Sequence, residues 1–252
     1  MRIPVVLALP LLVGACASAP TTSGFLSGYE GMADDESALR AAARERRETS
    51  RLELVKRVAI EPTRLAQGGA WMSAGERTAL LREIDAQLCF ELSERYEIAE
   101  GEDADARVRA AVTGVEPTGR AASAAAAAAS FFIPGPIGVR APGALGALAA
   151  EAEMLDGEDR QIAAISWTRT ATAVGTDDPS LSRIGDALQF AEPFADAAAK
   201  VMSSDDPPRR KIEAGADPCA QFGARFRPEG WAAKFATGLY VPQMSGAKAD
   251  EN

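Results

Sequence analysis

Three cysteines and no histidine bound the chemistry open to this chain of 252 residues. Without imidazole there is no Ser-His-Asp or Cys-His nucleophile pair, no His-ligated zinc or haem, and no ordinary neutral-pH general base. Glycine-rich phosphate loops, Cys-x-x-Cys pairs and calcium loops are also missing, so no cofactor is expected. Carboxylates remain. Glu151 with Glu153, and Asp177 with Asp178, are close pairs that read as normal surface charge. A hydrolase whose two carboxylates meet only in space stays open as an alternative, with no spacing to mark it.

The cysteines divide by position. Met1-Arg2 is followed by an apolar run from Ile3 to Val13, then Gly14-Ala15 and Cys16. That is the layout of a secretory signal, and the run falls short of the ~20 apolar residues that span a bilayer. Val13-Gly14-Ala15-Cys16 resembles the lipobox of bacterial lipoproteins, with glycine a less usual occupant of its position. The resemblance implies that the Cys16 sulfur carries a diacylglycerol, that residues 1–15 are removed, and that the new amine is acylated. It also implies the outer membrane, because Ala17 stands where aspartate marks inner-membrane retention. A plain signal peptide cut near Cys16 is the alternative. Cys89 and Cys219 then form an even pair, either bridged in an oxidising compartment or, for Cys89, a small buried hydrophobe on a helix.

Composition is that of a soluble domain, 47% apolar and 25% charged, with 27 basic and 36 acidic residues and a net charge of −9. Loss of Arg2 with the signal adds one more negative unit. Nucleic acid is therefore not expected as a partner, since its phosphates would repel the chain. The expected partners are the membrane, through the lipid anchor, and an envelope protein; the oligomeric state is open.

These residues are positioned by few elements. Residues 16–53 are expected to form the anchor, a flexible spacer and a charged linker or helix; 54–202 an α+β domain; 203–252 a proline-containing extension. Within the domain, 54–62 turns β-favouring and stops at Pro62. Residues 73–96 make a helix opened by the capping box Ser73-Ala74-Gly75-Glu76, with Leu81, Ile84, Leu88, Leu92 and Tyr96 as its apolar stripe. Alternation marks a strand over 106–116, and 148–156 with 161–170 a hairpin turned at Asp156-Gly157. A second helix covers 182–202, with Pro193 expected to kink or restart it. The order β-α-β-β-β-α predicts a two-layer α+β fold, a roughly four-stranded, mainly antiparallel sheet with helices on one face.

In chain order, the lipobox, Ser23-Gly24-Phe25-Leu26-Ser27-Gly28-Tyr29, the strand ending Ile60-Glu61-Pro62, the capped helix, Val112-Thr113-Gly114-Val115-Glu116-Pro117 and the Ala152-Glu153-Met154-Leu155-Asp156 hairpin resemble the uncharacterised bacterial lipoproteins grouped as domain of unknown function family 3313. The resemblance covers about residues 16–202 and implies a lipid-anchored envelope domain with no assigned reaction. It transfers no catalytic residues. The charged stretch 34–53 and the tail after Met202 depart from it.

Two segments are candidate contact sites. Residues 121–139 are uncharged, with six alanines (124–129) before Phe131 and Phe132. They form either an alanine helix packed on the sheet or a loop whose phenylalanines touch lipid or a partner. The tail places Phe222, Phe226, Trp231, Phe235 and Tyr240 within about twenty residues. Docked, they complete the core; exposed, Trp231 and Phe235 would anchor a partner. The expected function is a non-enzymatic binding or accessory module of the envelope, lipid-anchored at the periplasmic side of the outer membrane. A carboxylate hydrolase and a lipid-contacting protein using 121–139 are the alternatives.

Overall fold

The computed structural model describes residues 20–35, 40–121, 123–124, 138–140, 145–175, 177–204, 210–224, 236–237 and 239–240. Its elements run β1 (Ala33–Asp34), β2 (Ala42–Arg47), the one-turn α1 (Thr49–Leu52), β3 (Arg57–Ile60), β4 (Arg64–Leu65), α2 (Ala74–Ser93), β5 (Glu97–Ile98), β6 (Ala106–Glu116), β7 (Gly138–Val139), β8 (Ala147–Asp156), β9 (Gln161–Thr170), β10 (Val174–Gly175) and α3 (Gly185–Val201). The class is α+β.

Alternation between bulges, at Val112–Gly114 and at Met154–Leu155, builds the three long strands. Val108, Ala110 and Val112 on β6, Ala150, Ala152 and Met154 on β8, and Ala163, Ile165 and Trp167 on β9 are all buried in one core. β6 pairs with β8, and β8 with β9, antiparallel along nearly their whole lengths. Helices α2 and α3 pack on each other and, with their stripes of Leu80, Ile84, Leu88 and Leu92 and of Leu188, Ala191, Ala195 and Ala198, join that core. Trp167 meets the Phe194 ring at 5.7 Å between centroids.

The sheet is larger than the four mainly antiparallel strands expected. It has eight, ordered β1-β2-β9-β8-β6-β3-β5, with β4 also on β6, and it is mixed. β3 and β4 run parallel to β6, and β5 parallel to β3, because the chain crosses from β3 to β6 through α2. The charged stretch expected as linker or helix supplies β2, which pairs antiparallel with β9 from Ala42↔Thr168 to Arg47↔Ala163. Arginine serves there because its methylene stem covers the sheet while its head reaches acids: Arg44 pairs with Asp34 and Arg46 with Glu48.

The capping box of α2 forms as expected, with Glu76 N–H donating to Ser73 Oγ (3.2 Å) and Ser73 N–H to Glu76 Oε2 (2.8 Å). Leu80, fully buried, fills the core position expected of Leu81, which packs at its margin. α3 runs through Pro193 as one helix, held by Phe190 and Phe194, both buried on either side of it. Beyond α3 the described tail turns back along α2. Arg210 N–H donates to the Glu94 carbonyl at 2.7 Å, and Arg82 Nη2 reaches the Gln221 carbonyl, also at 2.7 Å. Further on, Tyr240 N–H bonds the Pro179 carbonyl at 2.9 Å. No helix among the described residues is long and apolar enough to cross a membrane.

Candidate functional site

The strand period that sends Ala150, Ala152 and Met154 into the helical layer sends Glu151 and Glu153 to the opposite face. The expectation of ordinary surface charge fails there: both glutamates are 0% exposed. They are covered by the chain upstream of β1, residues 23–32, which crosses this outer face as a strap. Leu26 and Met32 of the strap bury against Ala164 of β9, a contact of only three buried residues. The rest of the attachment is polar.

Glu151 receives four donors. The Ser23 hydroxyl and Tyr29 Oη donate to Oε2, and Ser23 N–H (3.4 Å) and Ser166 Oγ (3.2 Å) to Oε1. Glu153 receives Ser27 N–H at 2.8 Å, Ser27 Oγ at 3.1 Å and Gln161 Nε2 at 2.6 Å, and pairs with the Arg109 guanidinium. Arg109 in turn donates to the Ser27 hydroxyl at 3.1 Å and lies over the Phe25 ring at 5.2 Å. Tyr29 Oη accepts Gly24 N–H at 2.8 Å, so one phenol ties the strap to itself and to the strand. Gly24, at φ +85°, makes the turn that brings Ser23 and Tyr29 to the same carboxylate.

A buried carboxylate is tolerated only when donors replace its water. Here most of those donors come from the strap, so glutamate burial and strap docking are one event. These two carboxylates act as acceptors under a cover and present no cleft, so the arrangement is a latch. No group of three or more acidic or cysteine side chains that could hold a metal occurs among the described residues.

The family model of "Protein of unknown function (DUF3313)" matches residues 21–198, which takes in the strap, the eight-stranded sheet, α2 and most of α3. The chain belongs to DUF3313. No curated protein matches this DUF3313 member. Among solved structures it is similar to PelC dodecamers from Paraburkholderia phytofirmans. A point variant in space group C2 aligns at 11% identity over 66% of this chain and 99% of PelC, with a TM-score of 0.37. The P6 form aligns at the same identity and coverage, with a TM-score of 0.38.

In this DUF3313 chain Cys89 and Cys219 are joined in a disulfide, with their Cα atoms 5.9 Å apart. Cys16, Phe131, Phe132, Trp231 and Phe235 lie outside the described residues. Two further buried polar centres were not expected from the sequence. Asp186, in the first turn of α3, is fully buried; Arg140 Nη1 and Nη2 hold its two oxygens at 2.7 and 2.9 Å, and Thr118 Oγ1 and Gly146 N–H add bonds at 3.0 and 2.8 Å. It thereby fastens both stems of the excursion between β6 and β8. Gly146 is required there, since a Cβ would lie 2.8 Å from Asp186 Oδ2. Asp177, also expected as surface charge, is 7% exposed: it pairs with Arg169, which stacks on Phe190 at 4.4 Å.

The latch glutamates were missed because polar residues alternating with apolar ones on a strand normally face water. A usable signal lay upstream, in two serines four residues apart and a tyrosine, all donors, within a run that has no helical or strand period.

Proposed function

We propose that this DUF3313 protein is a non-enzymatic envelope lipoprotein, anchored through Cys16 and acting as a binding or accessory module at the periplasmic face of the outer membrane. The observation that carries this reading is the strap. Ser23, seven residues after Cys16, is already bonded to a buried strand glutamate. An extended chain covers about 3.3–3.6 Å per residue, so the free tether is at most about 25 Å. A domain on so short a leash stays at the bilayer surface and meets membrane-bound partners at high effective concentration. The hydrolase alternative finds no support in Glu151 and Glu153, whose oxygens are engaged by the latch.

A second reading, lipid contact by the apolar segment 121–139, is favoured by one feature. The strap bonds Glu151 through Ser23 and Glu153 through Ser27, so the chain before Ser23 heads toward the end of β8 where Ala147 begins. The excursion that holds Phe131 and Phe132 leaves β6 and returns to β8 at that same end. Ser23 and the described stems of that excursion therefore lie toward one end of the sheet.

Intact mass and membrane fractionation of the expressed chain beside Cys16→Ala test the anchor. A triacylated mass lacking residues 1–15 in the outer-membrane fraction, lost in the variant, is the expected result; an unmodified, freely soluble chain overturns the reading. For the lipid contact, Phe131→Ser with Phe132→Ser in a non-acylated chain should lower binding to phosphatidylethanolamine and phosphatidylglycerol vesicles. Unchanged binding rejects it.

A further inference from the structure

On the side of the molecule away from the latch, the tail closes a cavity of about 430 Å3. Three of its walls belong to the domain: Ile60 and Pro62 at the end of β3, Ile98 and Glu100 at and after β5, and Asp85 and Cys89 on α2. The fourth is the tail, through Pro218 and Phe222. That wall is fixed twice, by the buried disulfide to Cys89 and by Arg82, whose guanidinium lies 5.6 Å from the Phe222 ring centroid while bonding the Gln221 carbonyl. Small-molecule sites have this size and this mixture of apolar wall with a few polar groups.

The polar lining has a single sign. Asp85, Glu61 and Glu100 line the cavity, and no lysine or arginine does. Glu61 is shared between Arg64 and Arg107 outside, each at 3.5 Å. Asp85 accepts Thr63 N–H at 2.7 Å. Burial pushes the Asp85 carboxyl up from its ordinary value, against the opposing pull of Thr63 and of the nearby Arg82 charge.

We infer that this cavity binds a small amphipathic cation, an alkylammonium or alkylguanidinium whose apolar body lies against Ile60, Ile98 and Phe222 and whose charged head meets Asp85. The cation brings positive charge into a cavity that no basic residue lines, and its chain lies against the apolar wall. An anion of the same shape is repelled by the same three carboxylates, so charge sign is the discriminating property. Because one wall is held by the disulfide, the site belongs to the oxidised protein. The inference is independent of the anchor at Cys16.

Calorimetric titration of the oxidised chain with octylamine hydrochloride, beside sodium octyl sulfate, tests it. Octylammonium should bind saturably at one site and octyl sulfate should not. Asp85→Asn, which keeps the acceptor for Thr63, should weaken octylammonium at least tenfold, and Ala99→Trp, which fills the cavity from the loop after β5, should abolish binding, both with unchanged circular dichroism. Non-saturable heats, equal affinity for octyl sulfate, or wild-type affinity in either variant overturns the proposal.

Discussion

Two described segments, 23–32 before the sheet and 210–224 after the last helix, cross the outside of the α+β body, and they are fastened by different chemistry. The N-terminal strap contributes few apolar contacts and is held by hydroxyls, backbone amides and one arginine converging on two carboxylates of β8. The C-terminal tail is held by one covalent bond, with Phe222 packed beside it, and by hydrogen bonds at Arg82 and Arg210. A polar latch opens and closes in water, and its cost falls on the buried glutamates when it opens. A disulfide changes only with redox state. The segment nearest the proposed anchor is thus the reversible one, and the segment that walls the cavity is the conditional one.

Breaking the covalent fastening should have the largest effect. The bridge spans 130 residues of sequence, for which chain entropy assigns about 5 kcal/mol of stability. Denaturant unfolding of the oxidised chain against Cys89→Ser with Cys219→Ser should show most of that loss and leave strap protection unchanged. Next comes Glu153→Ala, which strands Arg109 and the Ser27 donors and should cost about 3 kcal/mol. Limited proteolysis should then cut within 20–32, with the Cys89–Cys219 bridge intact. A loss without new cleavage would mean that the strap does not depend on the glutamate. Tyr29→Phe removes a single donor to Glu151 and should cost about 1 kcal/mol by the same unfolding measurement.

The smallest effect lies outside both fastenings. Glu91, between α2 and α3, has its carboxyl pushed up by burial and then by Asp196, Glu94 and Glu192. Its folded form holds a proton more tightly than the unfolded 4.5, so ionised Glu91 costs stability at neutral pH, and the cost fades as pH falls through the raised folded value and is gone below 4.5. Glu91→Gln should therefore stabilise the domain at pH 7 and match wild type in acid. Thermal unfolding across pH checks the sign.

What could be read in the sequence follows from how strongly each element imposes its own period. β6 emerges at 106–116 as expected, because Ala106, Val108, Ala110 and Val112 alternate with Arg107 and Arg109 before the bulge at Val112–Gly114, and the capping box sets the start of α2. The hairpin is legible from its turn. β1, β4 and β5 are two residues each and carry no period at all. β2 is hidden by its arginines, whose charge reads as solvent exposure although their stems lie on the sheet. The parallel pairings depend on where α2 carries the chain, which no local pattern encodes. The latch was the least legible part: its bonds join residues more than 120 apart in sequence, and each partner alone is an ordinary surface residue type.

The central claim is that the segment leaving the proposed anchor is a structural layer of the domain and no mere leash. Amide hydrogen exchange of the mature chain, followed at Ser23, Gly24 and Ser27, tests it most directly, because these N–H groups donate to Glu151, Tyr29 and Glu153. The account expects slow exchange at all three, with protection lost in a Glu151→Ala, Glu153→Ala double variant whose β8 and β9 amides stay protected. Exchange at the rate of an unstructured peptide in the wild-type chain would contradict it.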